Sequence, residues 1–399
     1  MSNFYASLEV GTTRTVLAIG ENEAGGRLKM TCHAEIPSTG VRKSQILDIN
    51  QATSSIKSVL SAIEKKQLEA GSKITLGNAY LVVSGQHIKA GPFQGMVPIE
   101  GAKVGTEELD AVLKSSRAMQ IPKDREFLDI IDQDYEVDSL RGITAPRGMS
   151  GRILKLNTLQ IHADRNRIDD ARTAAEAAKL EIREPLFAAT CAAEAVLEEH
   201  EKRNGAIVLD IGGGSTGYAV YSDGHLATTG VIGVGGDHVT NDIAHAFQTT
   251  NAQAEQLKTE YASAIIGTPG ETRVKVPGSS PLMESRTISR RALDTVVNAR
   301  LRELFTVIRE TLEDQDLLNR LHAGAVLTGG GAAMRDIDAL VQRELGMPTR
   351  TGKPIHVDGL DGEKNPAAFA AMAGAIMYAS RTDDDKSSIL SGLIGRFFT

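Results

Sequence analysis

One unit of strand, acid, glycine turn and hairpin occurs twice in this chain, and that repetition limits the fold more than any other feature. The first copy runs Leu8-Glu9-Val10, turns at Gly11-Thr12-Thr13 and continues as Val16-Leu17-Ala18-Ile19. A second turn at Ala24-Gly25-Gly26 leads into a strand from about Leu28 to Cys32. The second copy runs Ala206-Ile207-Val208-Leu209-Asp210, then Gly212-Gly213-Gly214, Tyr218-Ala219-Val220-Tyr221, an Asp223-Gly224 turn and a strand from Leu226. Short apolar runs broken by glycine clusters read as strands and tight turns, and Asp-Gly is a hairpin signal. Glu9 superposes on Asp210, Gly11 on Gly212 and Ala18 on Ala219, at a constant offset of 201 residues (9 to 210). Any two strand–glycine–strand segments align now and then by chance. Here the acid, the glycine and the hairpin coincide, so the repeat predicts a pseudo-symmetric pair of domains facing across a cleft.

At 399 residues the chain is long enough for two or three domains. With 41% hydrophobic and 24% charged residues it is neither disordered nor collagen-like. A formal net charge of −7 gives no support for nucleic-acid binding, and 4% aromatics without tryptophan disfavour base-stacking platforms. Cys32 and Cys191 lie far apart, so no disulfide framework is expected and a reducing compartment is. The first residues lack the basic and apolar regions of a signal peptide. The longest weakly polar stretch, 366–379, is Ala-rich and shorter than the ~20 residues that cross a bilayer. It is expected as a buried helix in a soluble chain.

Helical stripes fill the intervals. Ile56, Val59, Leu60 and Ile63 follow Asn50 as a cap, and Gly71 closes that segment. Val239, Ile243, Ala246 and Phe247 follow Gly235-Gly236-Asp237, and a longer stripe runs through Leu293, Val297, Leu301, Leu304 and Ile308. Residues 268–281, rich in Gly, Pro and Ser, read as loops and short strands. Residues 84–163 read as a separate small α/β unit, with Thr106 capping a helix through Leu109, Val112, Leu113 and Ile121. The acidic stretch 382–388 is expected as a linker.

The chemistry gathers at the glycine loops. In Asp210-Ile211-Gly212-Gly213-Gly214-Ser215-Thr216 the glycines let backbone N–H groups converge on an anion, and two hydroxyls add donors. Asp210 suits Mg²⁺ held through water, because that hard cation keeps several waters and binds few carboxylates. Glu9 occupies the matching position. Gly11-Thr12-Thr13-Arg14 forms the opposing loop, with Arg14 offering charge to phosphate. Gly329-Gly330-Gly331 after Ala325-Val326-Leu327 makes a third approach point. A lone glycine cluster is more often a mere turn; three at strand ends, two beside acids, predict a nucleotide cleft. No P-loop, C-x-x-C or H-E-x-x-H sequence occurs, and the nine histidines are scattered.

These motifs resemble the actin-like ATP-binding superfamily and, within it, the FtsA family of bacterial cell-division proteins. Leu8-Glu9-Val10-Gly11-Thr12 and Asp210-Ile211-Gly212-Gly213-Gly214 match its two phosphate loops. Asp242-Ile243-Ala244 with Ala246-Phe247 matches the helix that follows the second loop, and Leu327-Thr328-Gly329-Gly330 the adenosine motif. Ser84-Gly85-Gln86-His87-Ile88 and Gly95-Met96-Val97-Pro98-Ile99 are the most specific pieces and match the start of an inserted subdomain.

The resemblance implies an α/β, actin-like (ribonuclease-H-like) fold of two domains. The first would span 1–83 and 164–204, with 360–380 returning to it. The inserted subdomain would span 84–163, and the second domain 205–359 with its own insertion at about 248–320. A linker (381–388) and an amphipathic membrane-targeting helix (389–399) would follow. ATP and Mg²⁺ are the implied cofactors. Gly11, Thr12, Thr13 and Arg14 would bind phosphates from one side, and Asp210, Gly212, Gly213, Gly214, Ser215 and Thr216 from the other, with Gly235 and Gly236 beside them. Glu255 and Lys258 would touch ribose and adenine, although by themselves they read as a solvated i, i+3 pair. Gly329, Gly330, Gly331, Ala332 and Met334 would border the nucleoside. Two departures stand out: Glu9 where the superfamily commonly has Asp, and Gly217 where the family usually has Asp. The second implies slow or absent hydrolysis.

The implied function is a polymerising, ATP-binding adaptor that anchors the FtsZ ring at the cytoplasmic face of the inner membrane, at the division site. Arg286, Arg290 and Arg300 would meet the acidic FtsZ tail, against the plain reading of a solvated helix face. The inserted subdomain would meet other division proteins. In the tail, Ile389, Leu390, Leu393, Ile394, Phe397 and Phe398 recur on one helical face, with Arg396 available to anionic lipid. Docking of that face on a protein groove is the competing reading. A PilM-like adaptor of a pilus or secretion machine is an alternative function. So is a sugar-kinase-type phosphotransferase, which would need an acid in a substrate motif that the sequence does not show. A chaperone is not expected, since no peptide-binding domain follows.

Overall fold

Two sheets carry the repeated hairpins. In a computed structural model, the described residues are 4–395 except 24–26, 73, 75, 119, 268–272 and 277–284, with side chains as far as 382. In the first sheet Phe4–Val10, Arg14–Asn22 and Leu28–Pro37 form an antiparallel meander. Asn78–Val83 pairs parallel with the other side of Phe4–Val10, and Glu181–Phe187 lies parallel beyond it. In the second sheet Ala206–Ile211, Thr216–Ser222 and His225–Ile232 repeat the meander, and Gly324–Thr328 takes the parallel place beside Ala206–Ile211. The likeness reaches single bonds: Gly11 N–H donates to the Arg14 carbonyl and Gly212 N–H to the Ser215 carbonyl, both at 3.0 Å. Asp223 and Gly224 adopt φ of 55° and 84°, the left-handed pair of a type I′ turn.

Central strands are buried on both faces, as in Leu17, Ala18 and Ile19, because helices cover the sheets. Asp48, not Asn50, caps the helix Ile49–Glu69, its carboxylate accepting from the Gln51 N–H at 3.0 Å. The helix Gly236–Phe247 buries Val239 and Ile243 but leaves Ala246 exposed, with Ala244 half-buried instead. The stripe from Leu293 to Ile308 lies on the helix Arg290–Asp314 as expected. The Ala-rich stretch begins with a 3₁₀ turn, Pro366–Phe369, and becomes the helix Ala370–Gly395. Small residues let this helix lie hard against Ala188–Val196: a Cβ on Gly374 would stand 1.8 Å from the Cys191 carbonyl oxygen.

That helix also corrects an expectation. Residues 382–388 are helical rather than a linker. No Gly or Pro stands between Gly374 and Gly392 to break the helix. Where its described side chains end, Arg381 bonds Glu194 at 3.0 Å and the Thr382 hydroxyl donates to the Tyr378 carbonyl, also at 3.0 Å.

The inserted unit has its own antiparallel sheet, in the order Lys89–Pro98, Ile153–Asp164, Arg125–Val137, Leu140–Ile143. The helix Thr106–Ser116 covers a separate small core that includes Val112, Val137, Leu154 and Leu156. Gly105 rather than Thr106 is the N-cap, and the helix stops short of Ile121, whose neighbour Pro122 disfavours helical backbone there. The unit leans on the second half through Gln133, whose amide donates to the Leu226 and Ala227 carbonyls at 2.9 and 3.2 Å.

The tight helix pair makes a stability prediction. Gly374→Ala should lower stability by about 1–3 kcal/mol through overpacking. Gly362→Ala, with nothing within 4 Å of the added Cβ, should stay near neutral. Denaturant midpoints of the two variants measure the difference, and equal midpoints would contradict the contact.

Candidate nucleotide cleft

The two acids that end the repeated strands face one cavity of about 390 Å³ between the halves. One wall is the Gly11–Thr12–Thr13–Arg14 loop and the other is Gly212–Gly213–Gly214–Ser215. Gly235 and Gly236, Glu255 and Lys258, and Gly329, Gly330, Gly331 and Met334 complete it. The loops touch across the opening. A Cβ on Gly213 would stand 2.0 Å from the Thr13 hydroxyl oxygen, so only glycine fits there. At Gly329 the backbone is left-handed (φ 79°), and a Cβ would meet Asp210 Oδ1 at 2.6 Å. What remains is a cradle bounded by backbone, the chemistry that suits phosphate oxygens.

Two expected residues do not line the cavity. Thr216 is fully buried at the start of its strand, and its hydroxyl donates to the Val234 carbonyl at 2.8 Å. Ala332 is buried beneath the turn, and its neighbour Ala333 faces the cavity instead. Gly217 does line it, but the room for a side chain is already taken: its Cβ would approach that of Ala189 to 2.9 Å.

Burial governs the charges. It pushes the Glu9 carboxyl from its ordinary 4.5 up to about 7, with Arg14 opposing and Asp210 adding to the rise. Asp210 is raised by burial too, and Arg14 and the Thr328 hydroxyl oppose that rise. Arg14 is less free than its place in the loop implies. It pairs with Glu35, donates to the Ala368 carbonyl at 2.6 Å and lies 5.5 Å from the centre of the Phe369 ring. Of Glu255 and Lys258, the lysine is withdrawn from water and the glutamate stays partly exposed. They meet at 2.6 Å, and the ammonium also bonds Thr240 Oγ1 at 2.9 Å and the Gly236 carbonyl at 3.2 Å.

Asp237 was not singled out as a site residue, yet it lines the cavity at the start of its helix, bonded by the Thr13 hydroxyl and raised by burial. A third acid beside a glycine pair was the signal for it. Ser44, from a loop without a motif, and Ser84, at the head of the Ser84–Ile88 motif, also line the cavity. No cluster of three or more His, Cys, Asp or Glu suited to a metal ion occurs among the described residues. That donor set fits a cation held through water by Asp210 and Glu9 rather than caged by protein.

The three arginines expected at a partner surface lie away from the cavity and differ from one another. Arg300 is bound twice by Asp242, at 2.6 and 3.1 Å, and again by Glu303. Arg290 is 11% exposed, close to Asp294. Arg286 is exposed, with one bond to the Gln248 carbonyl at 3.3 Å. Of the tail residues, Arg396, Phe397 and Phe398 lie outside the described residues, as do the side chains of Ile389, Leu390, Leu393 and Ile394. No helix is long and apolar enough to cross a membrane among the described residues.

A buried acid with a raised pKa holds its proton in the folded state at a pH where the unfolded chain has lost it. The contribution of Glu9 to stability is therefore fullest below about 4.5 and is lost as pH rises towards 7, by about 3 kcal/mol. In protein free of nucleotide and metal, Glu9→Gln should remove that loss. Urea unfolding from pH 4.5 to 7.5 checks it, and parallel curves for the two proteins would contradict the burial of this carboxyl.

Comparison with known proteins agrees with this architecture. The family model "Cell division protein FtsA" matches residues 207–374, and "SHS2 domain inserted in FTSA" matches 85–162. The cell division protein FtsA of Pseudomonas aeruginosa is 34% identical over 96% of this chain and 90% of its own length. That of Escherichia coli strain K12 is 30% identical, over 94% and 90%. Among solved structures, a PilM–PilN type IV pilus biogenesis complex aligns with TM-score 0.64 at 18% identity, covering 94% of this chain and 98% of that one. MreB5 of Spiroplasma citri bound to AMPPNP aligns with TM-score 0.56 at 15% identity, covering 97% and 98%. At such identities the two structures speak for the fold alone, which is actin-like. With a 34% identical relative matched along nine-tenths of its length and the inserted domain recognised in its own right, the chain belongs to the FtsA family of cell-division proteins.

Proposed function

We propose that this cell-division protein binds ATP with Mg²⁺ in its cleft, assembles into filaments of its own copies and anchors an FtsZ ring to the cytoplasmic face of the cell membrane at the division site. The closure of Gly213 on Thr13 carries the nucleotide reading, since it supports a cradle whose walls are backbone from both halves. Gly11 to Arg14 and Gly212 to Ser215 would hold the phosphates, and Asp210 with Glu9 would hold Mg²⁺ through its waters. The metal supplies positive charge to the phosphates when bound. Glu255 and Lys258, which line the same cavity as Met334, would meet the ribose and base. Slow turnover is part of the proposal. Gly217 brings no carboxylate, and Ala189 occupies the space one would need.

Partner docking is read from charge. An acidic FtsZ tail suits an exposed cation, and of the three arginines Arg286 is the one that offers it. Arg300 serves mainly to tie the helix Arg290–Asp314 to Asp242. Other division proteins would meet the inserted domain. For the membrane, each large apolar side chain of the tail stripe adds up to ~1.5–3 kcal/mol when buried, less the cost of ordering a short glycine-containing helix. One copy binds weakly, and a filament binds firmly through effective concentration. A sugar-kinase role would need an acid aimed at a substrate hydroxyl. The acids in the cavity are Glu9, Asp210, Asp237 and Glu255, each assigned above to metal, glycine loop or nucleoside.

Gly213→Asp should abolish ATP binding, by bulk against Thr13 and by like charge against phosphate. Titration calorimetry on folded variant and parent decides it, and equal affinity would reject the cleft reading. In liposome flotation, protein ending at Lys386 should stay at the bottom while the full chain floats, and equal flotation would reject the membrane tail.

A further inference from the structure

Three cations line the cleft, Arg14, Lys258 and Arg335, and the two beside the phosphate-loop candidates, Arg14 and Lys258, are already engaged by carboxylates and carbonyls. A fourth lies beside the cleft on a segment that no motif marks. The small hairpin 41–46 turns at Lys43 and Ser44, which hold left-handed backbone at φ 48° and 56°. Such turns ordinarily take Asn-Gly, and a lysine there is strained. The turn is pinned on every side. Ser44 N–H donates to Thr12 Oγ1 at 2.8 Å, the Ser44 and Thr12 hydroxyls lie 3.4 Å apart, and a Cβ on Gly214 would stand 3.1 Å from the Lys43 Cα. From the inserted domain, a Cβ on Gly85 would stand 2.8 Å from the Ser44 Cβ. The backbone of Lys43 is thus held against both glycine loops at once, while its side chain is exposed. No ion pair or hydrogen bond of its ammonium is found among the described residues.

We propose that Lys43 is a phosphate-binding residue: the strained turn presents its ammonium to the terminal phosphate of a nucleoside triphosphate seated in the cleft. This rests on the nucleotide reading above. A compact ammonium on a four-carbon stem, mounted on a fixed turn, would add a charge that is not already shared with a carboxylate, as that of Arg14 is with Glu35. It also discriminates. An ammonium placed on the terminal phosphate of a triphosphate would lack that partner in a diphosphate, so Lys43 would favour the triphosphate form.

The test is titration calorimetry of Mg-ATP and Mg-ADP on the full chain, the parent against Lys43→Asn and Lys43→Arg. Asparagine accepts the left-handed backbone without the charge, so strain and charge are separated. Lys43→Asn should weaken ATP about tenfold or more and leave ADP within about twofold, with Lys43→Arg keeping most of the preference. ATP and ADP weakened equally would reduce Lys43 to a structural residue and overturn the proposal. Unchanged affinity for both would overturn it too, while leaving the cleft intact. A parent protein that binds neither nucleotide would overturn the cleft reading, and the role of Lys43 with it.

Discussion

The structure depends on two loops meeting without side chains between them. Gly213 lies against Thr13 and Gly214 against Thr12, so closely that a methyl group at either position would overlap a hydroxyl oxygen. Each loop is the end of a central strand, and each strand is fixed by an antiparallel neighbour on one side and a parallel one on the other. The contact therefore joins the two sheets at their most rigid points. The cavity is what is left behind it, and on the side of the two glycine loops its walls are set by backbone more than by rotamers. A larger residue at position 213 does not merely fill the cavity; it separates the halves.

That closure has an electrostatic cost. Glu9, Asp210 and Asp237 are drawn out of water beside the same cavity, and burial raises the pKa of all three. Arg14 offsets part of this for Glu9 and Asp210 and Lys258 for Asp237, but each cation is shared with a carboxylate of its own. Buried acids gathered without matching charge are stable only as far as protons or a cation serve them. The acids that make the site chemically useful are thus the ones that make the empty fold sensitive to pH.

How much of this was legible in the sequence follows from how local each signal is. The doubled hairpin was readable because strand, turn and acid lie within a few residues, and the Gly11–Arg14 and Gly212–Ser215 bonds repeat the offset seen in the letters. Helix starts were less readable. Asp48 and Gly105 cap where Asn50 and Thr106 were expected, since a cap is decided by which backbone residue turns outward, not by residue type alone. The stretch after Arg381 looked like a linker because it is polar and acidic, yet it extends a helix anchored by Arg381 on Glu194 across 187 residues of sequence. Arg300 and Asp242, 58 residues apart, likewise show in the sequence as two unrelated surface charges and in the fold as one bidentate pair.

The inserted domain completes the same logic at the edge of the cleft. It leaves the first half after Asn78–Val83, and its opening loop at once touches the site: Ser84 lines the cavity, and Gly85 leaves room for the Lys43–Ser44 turn. Gln86 lies against Gly233 of the second half, where a Cβ would come within 1.7 Å of its amide nitrogen. Further along, Gln133 reaches the Leu226 and Ala227 carbonyls on the strand that leads to Gly233. The insertion is therefore covalently part of one half and packed on the other, with its first turn at the cleft. The Gln86 and Gln133 contacts thus run from the inserted domain to the strand and turn that lead into the Gly235–Gly236 edge of the cavity.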